Sequence, residues 1–211
     1  VETEEDFPND VQELQHLLGE PQPGQPIIAM PGAGTQVPIW LLGSSLYSAQ
    51  LAAQLGLPFA FASHFAPRML MQAVQIYRQT FRPSQQLAAP YVAIGVPLVA
   101  APSDEEATYL ASSTHQRVLG ILTGRRGQLP PPVENFLSSL DSGAQAAIAD
   151  FLAAAVIGGP DTVRAGLQQL AALTQANELV LVSDVYDAES RRRSLDIAAA
   201  AARELNAAVA Q

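Results

Sequence analysis

Pro38-Ile39-Trp40-Leu41-Leu42-Gly43-Ser44-Ser45-Leu46-Tyr47-Ser48-Ala49 is the stretch from which the rest of the chain can be read. Its first half is a short run of large apolar residues, the pattern of a buried strand. From Leu46 the apolar residues take up helical spacing, and Gly56 stops that helix. Between the two, Gly43 permits a sharp exit from the strand. Ser44, Ser45 and Ser48 put three hydroxyls around the start of a helix, where free backbone N–H groups and the helix dipole attract anions. A loop of this kind suits a phosphate monoester without Lys or Arg. The same residues equally describe a serine-capped helix and nothing more.

Outward from this stretch the pattern repeats. Strand-like runs at residues 39–42, 59–61, 91–100 and 178–182 alternate with helical spacing at 46–55, 67–81, 103–119 and 188–208. The strands are continuous apolar runs without alternation, as parallel strands covered on both faces require. Strand–helix alternation then implies βαβ units and a parallel sheet, the α/β class of the TIM-barrel type. These are four units plus a helix at 10–18, where a complete (β/α)8 barrel has eight units, so the expectation is the C-terminal half of a single barrel domain spanning 1–211. Residues 135–140, 144–155 and 160–173 also read as helical. The Pro/Gly-rich segment holding Ile27-Ile28-Ala29-Met30 and the run from Val37 reads as a hairpin-like insertion about Pro31-Gly32-Ala33-Gly34. Leu129-Pro130-Pro131-Pro132 marks residues 124–143 as a loop insertion. The absence of an initiator Met points to a processed or excised piece.

The segment 38–62, with Phe81-Arg82-Pro83-Ser84, Pro90-Tyr91-Val92, Val156-Ile157-Gly158-Gly159-Pro160-Asp161-Thr162-Val163, Glu178-Leu179 and Ser183-Asp184-Val185-Tyr186-Asp187, resembles the C-terminal part of bacterial-luciferase-like flavin monooxygenases. In that family a serine-bearing loop at this place binds the phosphate of FMN. The resemblance therefore implies that Gly43, Ser44, Ser45, Leu46, Tyr47 and Ser48 bind FMN, with the Tyr47 ring alternatively packing on its helix. It further implies a monooxygenase that uses reduced FMN and O2 on a small organic substrate, with a separate flavin reductase. The family's flavin-ring pocket rests largely on the first four strands, which this chain lacks. A non-catalytic flavin-binding module, or an inactive fragment, is the alternative, and either requires the missing barrel half or a second copy of the chain as partner.

Ser63-His64-Phe65 follows the strand at 59–61 and makes His64 a candidate proton shuttle at the barrel mouth, against the plainer reading of a capping or surface histidine. His16 and His115 read as surface residues on helices, and the spacing of the three histidines offers no metal site. Gly158-Gly159-Pro160 lacks a strand that clearly feeds it and reads as a helix start rather than a second anion loop. Ser183-Asp184 ends the last strand, a position that reads as functional in barrels, with Asp184 as the cap of the last helix the plainer reading, and Arg191-Arg192-Arg193 reads as a solvated face or subunit contact.

Composition sets the outer limits. The 211 residues are 48% hydrophobic with a net charge of -9, enough for a core and the wrong sign for a nucleic-acid partner or an anionic membrane surface. The chain has no cysteine, which excludes disulfides and thiolate chemistry. All its basic residues are Arg, which excludes a Schiff-base lysine. No Gly-x-Ser-x-Gly elbow is present to support a serine hydrolase. The acidic N-terminus is unlike a signal peptide, and the longest apolar stretch is broken by Pro90, Gly95 and Pro97, so a cytoplasmic protein is expected.

Overall fold

A computed structural model describes residues 6–209, with the side chains of 208 and 209 left aside. Five strands, all paired in parallel, alternate with helices: β1 Leu41–Gly43, β2 Phe59–Phe61, β3 Val92–Ala100, β4 Val156–Gly158 and β5 Glu178–Val182. The long helices are α1 Phe7–Leu18, α2 Leu46–Leu55, α3 Leu70–Thr80, α4 Asp104–Leu122, α5 Ser142–Phe151, α6 Pro160–Thr174 and α7 Ala188–Val209. β3 is the organising strand. It pairs with β2 over Val92–Ile94, with β5 over Ala93–Pro97 and with β4 over Leu98–Ala100, and all nine of its residues are buried.

Side-chain alternation along the strands splits the sheet into two unlike faces. On one face Leu41, Phe59, Phe61, Val92, Ile94 and Val96 pack with Leu51, Val74, Tyr77 and Leu167 into the main core under the helices. The other face carries Leu42, Ala60, Ala93, Gly95 and Val180, and here Leu42 is 71% and Val180 51% exposed. A parallel strand is ordinarily covered on both sides. In this chain the helix-covered side is closed, and the side that faces a barrel's interior is apolar and open to either side of β3, at Leu42 and Val180.

Polar groups fix the register where the sheet meets its connections. The buried Tyr77 hydroxyl donates to the Leu57 carbonyl at 2.8 Å and accepts the Tyr91 N–H at 3.1 Å. Asn177 accepts the Val92 N–H at 2.9 Å and returns its own N–H to the Val92 carbonyl at 2.8 Å, which locks β5 beside β3. Gly56 closes α2 at φ 64°, and a Cβ there would sit 2.5 Å from the Arg82 carbonyl oxygen.

Four expectations are corrected. Gly158-Gly159-Pro160 is fed by a strand, β4, whose three residues pair with the end of β3. No hairpin forms at 27–42: Gly34 and Gln36 instead donate their N–H groups to the carbonyls of Gly19 and Leu18 at 2.9 Å, tying the segment to the end of α1. The strand expected from Ile39 starts at Leu41, because the Gln86 side-chain amide takes both backbone groups of Ile39, at 3.1 and 2.9 Å. His115 is 6% exposed and not a surface residue, since α4 is pressed between β4 and the loop that follows it. Within residues 123–141 the only helix is a 3-10 turn at Leu137–Ser139.

Candidate active site

The ends of β1, β2 and β5 bring two groups of polar residues to the same edge of the sheet. The first is the loop between β1 and α2. Ser45 caps α2 as its extended N-cap: its hydroxyl accepts the Ser48 N–H at 3.2 Å and donates to the Ser48 hydroxyl, also at 3.2 Å. Ser48 closes the reciprocal capping box by accepting the Ser45 N–H at 3.4 Å, and its own proton goes to the Ser45 carbonyl at 2.8 Å. The capping reading of Ser45 is thus realised, with both hydroxyls engaged inside the loop. The open donors are elsewhere. Ser44 has no side-chain partner among the described residues, and the N–H groups of Leu46 and Tyr47 have no acceptor among them, as the first turn of any helix requires. Tyr47 is half-exposed at 51%.

Gly43 makes this geometry possible. A Cβ there would lie 2.2 Å from Ser48 Oγ and 2.4 Å from Ser48 Cβ, so only glycine lets the strand end run this close beneath the capping box. The loop carries no charged side chain. Its attraction for an anion comes from oriented N–H groups and the dipole of α2.

The second group surrounds His64. After β2 the Ser63 hydroxyl donates to the Gly95 carbonyl, which turns the next residue back over β3. The His64 ring then lies on Gly95, where a Cβ would meet Nδ1 at 2.7 Å, and its centroid is 4.2 Å from that of Phe65. Nδ1 is buried without a hydrogen-bond partner. Burial lowers the His64 pKa; the Asp184 carboxylate opposes this and the Arg117 guanidinium adds to it. Arg117, from α4, forms an ion pair with Asp184, which follows β5. Arg117 Nε and Ser183 Oγ are likewise buried without partners. His64 Nδ1 and Arg117 Nε, from two elements linked through Asp184, therefore both have unused hydrogen-bonding capacity, as a polar ligand would require.

Asp184 is not the cap of α7. Asp187 is, accepting the Ser190 N–H at 2.8 Å, while Asp184 is turned to Arg117. Of the neighbouring arginines, Arg193 pairs with Glu106 at 3.1 Å. Arg117 was missed in the sequence because nothing local marks it: it sits in the middle of a long helix, and its role arises only from the way α4 crosses the ends of the strands. His64 and the Gly43–Ser48 loop lie at adjacent strand ends, whereas His16 is exposed on α1 and His115 buried in α4.

Residues 3–176 match the family model described as luciferase-like monooxygenase. A luciferase-like monooxygenase of Escherichia coli (strain K12) is 41% identical over 201 residues, covering 95% of this chain and 60% of the relative. Apo-MsnO8 superposes at a TM-score of 0.80 with 30% identity, over 95% of this chain and 61% of that one. The coenzyme F420-dependent tetrahydromethanopterin reductase of Methanopyrus kandleri shares the fold at a TM-score of 0.54 and 13% identity. The chain spans about 60% of the length of the curated relatives it matches. With its parallel strands, its alternating helices and its serine loop at a strand end, the chain belongs to the luciferase-like monooxygenase family.

Proposed function

We propose that the chain is the phosphate-binding portion of an FMN-dependent monooxygenase. The observation that carries this reading is the β1–α2 loop, where Gly43 leaves room and Ser44, with the N–H groups of Leu46 and Tyr47, stands open at a helix N-terminus. A phosphate monoester is the ligand such a neutral nest of donors favours. Ser45 and Ser48 hold the loop's shape through their mutual hydrogen bonds. Reduced FMN, when bound, supplies the chemistry with O2, and the chain's own residues orient it and handle protons. His64 is the group best placed for the second task, with Nδ1 buried and unpartnered beside the Arg117–Asp184 pair. The neutral imidazole, favoured by burial, can accept a proton or donate one from its other nitrogen. The likeness to luciferase-like monooxygenases supports a separate reductase as the source of reduced flavin and a small organic molecule as the substrate.

The open inner face of the sheet favours a second reading for the chain by itself. With Leu42 and Val180 bare, it holds flavin without turnover until the missing barrel half or another copy covers that face. Titrating FMN into the chain and following flavin fluorescence tests both readings. Saturable binding that Ser45→Ala/Ser48→Ala weakens about tenfold, ~1.4 kcal/mol, is expected. Binding indifferent to that change would remove the loop assignment, and absence of binding by a folded chain would remove the cofactor reading. Turnover with added reductase separates enzyme from binding module.

A further inference from the structure

A cleft of about 540 Å³ opens beside the His64 group and is lined by Phe65, Arg117, Arg125, Arg126, Pro130 and Phe151, among others. Its volume is that of a small-molecule site, which typically spans roughly 300–1,000 Å³. Its charge runs against the rest of the molecule. The chain carries 20 acidic and 11 basic residues, yet the residues lining this cleft include three arginines and no carboxylate. Arg117 is held by Asp184, but its Nε is buried without a partner. Arg125 and Arg126 are exposed and make no ion pair with any described residue, whereas Arg68, Arg164 and Arg193 are all paired with carboxylates. The apolar side chains of the lining are two phenylalanine rings, a proline ring and Ile121.

The cleft is held in place by the chain around it. The Arg125 N–H donates to the Gly120 carbonyl at 2.7 Å, folding the chain back at the end of α4. A Cβ on Gly120 would fall 2.7 Å from the Arg125 carbonyl oxygen, so this turn requires glycine at 120. Gln116 on α4 donates to the Pro131 carbonyl at 2.9 Å, which pins the proline run as the cleft's outer wall. Phe65 joins the cleft to the His64 ring, and Arg117 joins it to Asp184, so a molecule seated here reaches the barrel mouth.

We propose that this cleft binds the substrate as an aromatic carboxylate, its ring between Phe65 and Phe151 and its carboxylate toward Arg125 and Arg126. Guanidinium forks match a carboxylate in geometry as well as charge, and aromatic faces favour a planar ring over a flexible chain. The assignment gives a substrate class to the monooxygenase reading and rests on that reading for its purpose, but not for its test.

The probe is naphthoate, followed by its fluorescence anisotropy, with neutral naphthylmethanol as its counterpart and FMN titrated in parallel. Naphthoate is expected to bind at least tenfold more tightly than the alcohol, ~1.4 kcal/mol. Arg125→Gln/Arg126→Gln is expected to abolish that preference while FMN affinity stays within twofold. Phe151→Ala should weaken both ligands alike. High salt should narrow the preference in the unsubstituted protein, since both arginines are solvent-facing. Equal binding of acid and alcohol, or a preference that survives the double substitution, overturns the proposal. A preference that holds in a protein that binds no FMN leaves the cleft standing and removes the cofactor reading.

Discussion

Two loops of this molecule follow the same local recipe and end differently. In each, a short strand ends on a glycine and a helix begins within three residues: Gly43 before α2, and Gly158 before α6. At α6 the chain fills the anion position itself. The Asp104 carboxylate accepts the Gly159 N–H at 2.6 Å and the Thr162 hydroxyl at 3.1 Å, so the helix N-terminus is already answered by a negative charge. At α2 no carboxylate of the described residues bonds to the helix start, and the cap is made by hydroxyls alone. The lesson is that a helix N-terminus becomes a ligand site when the fold leaves it without an internal anion, and the residues of the loop do not tell which has happened.

The two glycines give the sharpest way to break this comparison. Gly43→Ala drives a Cβ to 2.2 Å from Ser48 Oγ; Gly158→Ala drives one to 2.4 Å from Thr162 Cγ2 and 2.7 Å from Asp104 Oδ1. Each is expected to cost about 1–3 kcal/mol of stability by overpacking. Only Gly43→Ala is expected to lower FMN affinity, by roughly a hundredfold, ~2.7 kcal/mol. Equal losses of FMN binding in the two variants would show that the loops are not functionally distinct.

A smaller effect is expected from emptying the filled site. Asp104→Ala removes the partner of Gly159 and Thr162 and should lower the melting temperature while leaving FMN affinity within twofold. Inorganic phosphate should then raise the variant's melting temperature more than it raises the parent's, because the N-terminus of α6 has been opened. No difference in the phosphate response would mean that the end of α6 attracts no anion even when bare. The same carboxylate gives an acid limb. The Gly159 N–H, and after it the Thr162 hydroxyl, hold its pKa below the usual carboxylate value. Its stabilisation is therefore present above about pH 4, the unfolded value, and is lost as pH falls through the lower folded one.

The sequence made the sheet and the serine loop legible for a reason that also explains what it hid. Periodicity reports burial, so β3 and its neighbours stood out as apolar runs, and capping residues marked where helices begin. β4 was missed because Val156-Ile157-Gly158 is only three residues long and is held by the far end of β3, a contact between residues 58 positions apart at Leu98 and Val156. The pairing of Asp104 with Gly159 is of the same kind. His115 read as a surface residue because α4 looks amphipathic in isolation, and the packing against it comes from the chain beyond 130. Asp184 and Asp187 are both sound N-cap candidates by type; the ion pair with Arg117 decides between them. Local signals thus carried the elements, and long-range contacts decided which polar groups remained open.

His115, which is buried, and His64, which is partly buried with its Nδ1 out of solvent, extend the comparison of answered and unanswered polar groups, with the smallest expected effect. Burial lowers the pKa of both. For His64 the loss is opposed by Asp184 and reinforced by Arg117, while for His115 burial acts without a charged partner. A histidine whose folded pKa is depressed binds fewer protons in the folded state than in the unfolded one, so stability rises with pH across that interval. Above the unfolded value of about 6.5 both states are neutral and the histidines contribute no slope. As pH falls below it, the unfolded chain takes up protons first, and the melting temperature should decline. His115→Gln and His64→Gln should each flatten that decline, since the folded protein lowers the pKa of both. Asp184→Asn should steepen it, because removing the carboxylate leaves His64 facing only the Arg117 cation. Melting curves collected between pH 8 and pH 5 read these slopes directly. A slope unchanged by Asp184→Asn would mean that His64 does not sense the pair at the barrel mouth, and with that the case for His64 as the proton-handling group would lose its electrostatic support.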